Sequence, residues 1–77
     1  MTSTQLLQNI DVALTERQRE LLLAAHDRGY YEIPHAMTLR EIASELGISV
    51  GTLSQALRRA ERAIITNYVD AARGDED

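Results

Sequence analysis

Apolar side chains recur along this chain at intervals of three and four, the helical period, and no two segments alternate in twos as a strand pair would. Thr15-Glu-Arg-Gln18 is a capping box: the Thr15 hydroxyl accepts the Gln18 N–H, and the Gln18 side chain returns to the Thr15 N–H. Leu14 can staple against the first turn. Leu21, Leu22 and Ala25 give this first predicted helix a buried side, and Gly29 stops it, because glycine takes a left-handed backbone without steric cost. Tyr30 to Met37 is a connector. Pro34 biases Ile33 toward extended backbone, so this piece is expected to cross the outside of the core. Thr38-Leu-Arg-Glu41 is a second capping box, opening a short helix that ends at Leu46 with Gly47 as its stop. Ser49 caps a third helix, which meets no breaker until Gly74 and is predicted to run to about Ala72. Residues 1–13 fit two readings, a short helix or a docked N-terminal arm, with Leu6, Leu7 and Ile10 at helical spacing. Residues 14–72 form the predicted domain and 73–77 a solvated acidic tail.

The interval from Leu39 to Arg58 meets the local demands of two helices crossing through a tight turn. Ala43 is small where the helices approach, and Gly47 supplies a positive φ. Ile42, Leu46, Ile48, Leu53 and Ala56 occupy the inward positions. These seven requirements, met in register, predict an all-α fold: a helix-turn-helix whose tri-helical core has no wing, with a long C-terminal helix.

At 77 residues and without cysteine, the chain has room for one small domain and no disulfide or thiolate metal site. It holds no apolar run long enough to span a membrane and no cationic signal peptide, so a cytoplasmic location is expected. Charge sharpens the picture. All eight basic residues are arginine, against twelve acids, a composition that suits a salt-adapted or GC-rich organism. Residues 11–45 and 61–77 each sum to −3, while 46–60 hold Arg58 and Arg59 and no acid. A globally acidic chain that keeps one stretch free of carboxylates points to an anionic partner there.

Helix geometry sorts the third helix into two sides. Leu53, Ala56, Leu57, Ala60, Ala63 and Ile64 fall inward; Gly51, Ser54, Gln55, Arg58 and Arg62 fall outward. A helix entering the major groove of double-stranded DNA, over about residues 50–62, wants this order, with base-edge contacts first and phosphate contacts later. Gln55 can pair bidentately with adenine, and Ser54 can meet any base. Ser49, Thr52 and the helix N-terminal amides suit phosphate contacts, with Val50 and Gly51 in the same DNA-facing set and Arg59 beside Arg58. Thr38 and Arg40 open the preceding helix and can hold the backbone on the far side. Beyond Arg62 the outer line becomes apolar through Ile65, Val69 and Ala72, while Ile64, Tyr68 and Ala71 continue the inner side. A helix apolar on both sides must be covered twice. A homodimer through Ile65, Tyr68, Val69 and Ala72 is expected, with a monomer wrapped by its own N-terminal arm as the other reading.

His26 and His35, with Asp27 and Glu32, have no ligand spacing, so no metal is expected. Tyr30 and Tyr31 are expected to pack, one on the core and one over it. No nucleophile–base or paired-carboxylate arrangement has positional support; neither catalysis nor a cofactor or small-molecule ligand is expected. The same face also fits a protein-interaction module that dimerises with a larger regulator without touching DNA.

The chain resembles the helix-turn-helix domain of the bacterio-opsin activator family of haloarchaeal transcription regulators. Leu14-Thr-Glu-Arg-Gln18, Gly29-Tyr-Tyr-Glu-Ile-Pro34, Thr38-Leu-Arg-Glu-Ile-Ala43, Leu46-Gly-Ile-Ser49 and Leu57-Arg-Arg-Ala-Glu61 carry the likeness, in order, over about residues 14–66. The resemblance implies a halophilic archaeal DNA-binding domain with Ser49, Thr52, Ser54, Arg58 and Arg59 nearest the DNA. Family members usually carry it after sensor domains, where this sequence has about thirteen residues. They often have longer polar or basic side chains at the places of Val50, Gly51 and Ala56, and a basic residue at that of His35. The reading surface here is trimmed.

Overall fold

The computed structural model describes residues 14–74. The arm or helix expected at 1–13 and the last three residues of the expected tail lie outside them. Three helices follow in order: α1 (Glu16–Asp27), α2 (Leu39–Leu46) and α3 (Val50–Gly74). Both capping boxes form. Gln18 N–H reaches Thr15 Oγ1 at 3.0 Å and Thr15 N–H reaches Gln18 Oε1 at 3.1 Å; the matching pair at Thr38 and Glu41 measures 3.2 and 2.8 Å.

α1 and α2 also end alike. Gly29 (φ +82°) and Gly47 (φ +71°) take the left-handed backbone. The residue after each glycine sends its N–H five residues back, Tyr30 to the Ala25 carbonyl at 3.1 Å and Ile48 to the Ala43 carbonyl at 3.0 Å. This closure satisfies helix-end carbonyls and folds the next apolar side chain inward; Tyr30 and Ile48 both pack on the core. Gly29 has a second constraint. A Cβ there would meet Ala36 Cβ at 2.6 Å, because the Gly29 carbonyl accepts the Ala36 N–H at 2.9 Å and draws the connector over it. The connector otherwise runs on the surface, with residues 31–36 exposed and Ile33 99% so.

Leu21, Ala25, Ile42, Ala43, Leu53 and Leu57 form the core, with Met37, Leu39, Leu46 and Ala56 packed around it. Ile42 and Leu53 are fully buried, each contributing about 1.5–3 kcal/mol of transfer free energy. Arg28 locks α1 to α2: its Nε donates to Glu45 Oε1 at 2.8 Å and its Nη1 to the Ala24 carbonyl at 3.0 Å.

α3 departs from expectation at its far end. It continues two residues past Ala72, ending with Arg73 in its last turn, where a cation suits the helix dipole. Its 25 residues span about 37 Å, longer than the three-helix body is wide. The inner line continues through Tyr68 and Ala71, and among the described residues neither is covered. α1 is only 12 residues long and cannot follow α3 that far.

Candidate nucleic-acid interface

The turn between α2 and α3 is three residues, Gly47 to Ser49. Its glycine fixes the exit from α2, and Ser49 fixes the start of α3. Ser49 Oγ accepts the Thr52 N–H at 3.0 Å and donates its own hydrogen to Thr52 Oγ1 at 2.8 Å. The Ser49 hydroxyl is thereby spent on the cap, while the Thr52 hydroxyl hydrogen stays available to an outside acceptor. Thr38 Oγ1 is likewise occupied as an acceptor by the Glu41 N–H. The Glu41 carboxyl is held below its usual range, first because it accepts the Thr38 backbone N–H.

With Leu53, Leu57 and Ala60 buried against α1 and α2, the opposite side of α3 is held outward. Val50, Gly51, Thr52, Ser54, Gln55, Arg58, Arg59 and Arg62 are all exposed, as are Ser49 before them and Thr38 and Arg40 on α2. The structure thus gathers every sequence-predicted contact residue on the open surface, from the start of α2 along the first half of α3. Of the four residues expected at a dimer contact, Ile65, Tyr68 and Ala72 are exposed and Val69 is half-buried.

Among the described residues, the charges on this face have no ion-pair partner. Among the described residues, arginine–carboxylate pairs involve only Arg17 with Glu20, Arg19 with Glu16, and Arg28 with Glu45. Arg40, Arg58, Arg59 and Arg62 have no carboxylate of the described residues within 4.0 Å. Glu61 stands between them in sequence but is engaged elsewhere: Tyr31 Oη donates to Glu61 Oε2 at 2.5 Å. Burial, and next this bond, push the Tyr31 phenol well above its usual range. The bond joins residues thirty apart and follows no local spacing rule, so sequence reasoning missed it. The only hint was a tyrosine pair beside the core. Tyr30 packs edge-on against Tyr31, with centroids 5.0 Å apart, and stacks on His35 at 5.5 Å. His35 is thus an aromatic neighbour, and His26 lies 3.7 Å from Asp27. A shallow cleft of about 130 Å³ runs past Ser54, Arg58 and Glu61 beside Tyr30 and Leu39.

Comparison with known proteins places this geometry. Residues 14–66 match the model of a family described as HTH DNA binding domain. A Haloferax volcanii protein named as a candidate transcriptional regulator is 46% identical over 61 residues, covering 79% of this chain and 10% of that protein. The dimethyl sulfoxide reductase transcriptional activators of Haloferax volcanii and Halobacterium salinarum are 42% and 41% identical, over 77% and 78% of this chain and 28% and 27% of theirs. The chain therefore spans between a tenth and somewhat over a quarter of the length of these relatives. No solved structure matches it. Among the described residues no helix is long and apolar enough to cross a membrane. With residues 14–66 matched, from the first cap through the arginine face, this chain belongs to the helix-turn-helix DNA-binding domain family of the bacterio-opsin activator type, whose role is DNA binding and not catalysis.

Proposed function

We propose that the chain is the DNA-reading part of a cytoplasmic haloarchaeal transcription regulator, acting as a homodimer with the first half of each α3 in the major groove of double-stranded DNA. The observation that carries this reading is the exposed arginine face, where Arg58, Arg59 and Arg62 pair with no carboxylate among the described residues and neighbouring Glu61 accepts a hydrogen bond from Tyr31. Arg58, Arg59 and Arg62 contact phosphates. Gln55 and Ser54 meet base edges; Val50 and Gly51 let the helix start approach closely; Thr52, Thr38 and Arg40 hold the flanking backbone. Ser49 serves the site as the cap that fixes α3.

Mobility shifts on genomic fragments at high salt, for the natural chain and for Arg58→Ala and Arg59→Ala, test this. The natural chain is expected to shift a subset of fragments and the variants to lose affinity for all of them. No shift, with the chain folded and binding a larger regulator, would establish the protein-interaction role instead. Gln55→Ala is expected to relax sequence preference while leaving affinity for random duplex unchanged.

A further inference from the structure

The second half of α3 leaves its apolar side chains uncovered among the described residues. Ile65 is 61% and Tyr68 73% exposed, and from Ile65 to Gly74 only Val69 is even partly covered. An open groove of about 440 Å³ adjoins this stretch between α1 and α3, walled by Leu22, Leu23, Tyr31, Ile64 and Ile65. Leu23 is half exposed. The polar residues of the lining are His26 and Glu61. The chain exposes 5936 Å², about 1,200 Å² more than the roughly 4,700 Å² of a compact monomer of this mass. A stable interface covers about 800 Å² on each partner, and a second copy seated on this groove would cover part of that whole-chain excess.

We propose that this groove receives Tyr68 from a second copy of the chain, the two α3 helices crossing antiparallel near Thr66. A two-fold contact needs a projecting group and its receptor on the same surface. Tyr68 stands one helical turn beyond Ile64 and Ile65, so a crossing midway sets each tyrosine against the other chain's groove. An aromatic ring buries its faces in part of such an apolar groove, and its O–H finds His26 or Glu61 as a partner. At 100° per residue Tyr68 lies roughly a quarter-turn or more from Arg58, Arg62 and Gln55, and the crossing lies beyond Arg62 along the helix, so pairing leaves the arginine face open. Gln55 stands eleven residues from the crossing on each helix, which separates the two by about 33 Å. Successive major grooves on one DNA face are about 34 Å apart. That last agreement rests on the DNA-binding reading above; the exchange of tyrosines does not.

Sedimentation equilibrium of the full chain at high salt, without DNA, tests the exchange. A dimer is expected. Leu23→Ala and Tyr68→Ala are each expected to weaken it at least tenfold, and the double variant no further than either alone, because both remove one contact. Tyr68→Phe keeps the dimer. Thermal melts report whether each variant folds. A mixture of Leu23→Cys and Tyr68→Cys chains, in a protein with no other cysteine, is expected to oxidise to a covalent heterodimer. A monomer at every concentration overturns the proposal, as does absence of the heterodimer. A dimer broken by Tyr68→Ala but untouched by Leu23→Ala overturns it too, since α3 then pairs outside the groove. If Leu23→Ala lowers thermal stability without altering self-association, the groove belongs to the chain's own residues 1–13 and the exchange is again overturned. Loss of DNA binding with the dimer intact would sink the regulatory reading alone.

Discussion

α1 with its exit and the first half of α3 each carry three arginines, and the two sets are used differently. Arg17, Arg19 and Arg28 each sit beside a carboxylate, at 3.6, 2.8 and 2.8 Å. Among the described residues Arg58, Arg59 and Arg62 have none within reach, although Glu61 lies among them. On α1 the acids fall three residues away on the same helix face, where neighbouring side chains meet. On α3 residues 46–60 hold no acid at all, and the nearest one is bonded to Tyr31. Exposed pairs add little to stability, about 0–1 kcal/mol, so unpaired arginines cost the fold little. Their difference shows in what the surface can bind.

The strongest way to break this comparison is to remove the two sets in turn. The double variant Arg58→Ala/Arg59→Ala is expected to bind every duplex about a hundredfold more weakly, with a salt dependence flatter by about two phosphate contacts. Arg17→Ala/Arg19→Ala should stay within about twofold of the natural chain in the same titration. Equal losses would mean that pairing does not decide which arginines meet DNA.

Gly47→Ala probes the turn that aims the face. Open space surrounds its missing Cβ, so the cost is the left-handed backbone alone, about 1–2 kcal/mol in denaturant unfolding. Gly29→Ala should cost more, because there a Cβ also collides with Ala36. Gly51 offers the reverse test. It lies inside the first turn of α3 with ordinary backbone and nothing near it. Gly51→Ala should therefore stabilise the domain by about 0.5–1 kcal/mol. Weaker DNA binding by the same variant would show that close approach, not folding, requires the glycine.

Tyr31→Phe sharpens the comparison at its finest point. It frees Glu61 to pair with Arg58 three residues earlier, a contact worth about 0.2–0.5 kcal/mol. DNA binding should weaken about twofold, measured by titration at low salt. The natural chain should also lose stability in alkali. A phenol whose folded pKa is raised supports the fold fully below its ordinary range near pH 10, and that support fades as pH rises beyond it. The phenylalanine variant should lack this alkaline component in pH-dependent melts.

Much of this molecule was legible without coordinates because its determinants are local. Both capping boxes and both glycine stops are set within four or five residues. Helical period alone put Leu53 and Leu57 inward and Ser54, Gln55 and Arg58 outward. Three features were not legible. The exposure of Tyr68 depends on how far α1 reaches along α3. The Tyr31–Glu61 bond depends on how the connector crosses the core. The Arg28–Glu45 lock depends on how α1 and α2 pack.

The sequence by itself determined where each helix starts and stops and which side of α3 carries charge, since hydrogen bonds and side-chain periodicity act over a turn or two of chain. Only the tertiary structure decided that, among the described residues, Arg58, Arg59 and Arg62 meet no carboxylate, a groove opens near them, and the end of the long helix has no cover. Each of these depends on distances between segments far apart in sequence, which are set when the helices pack.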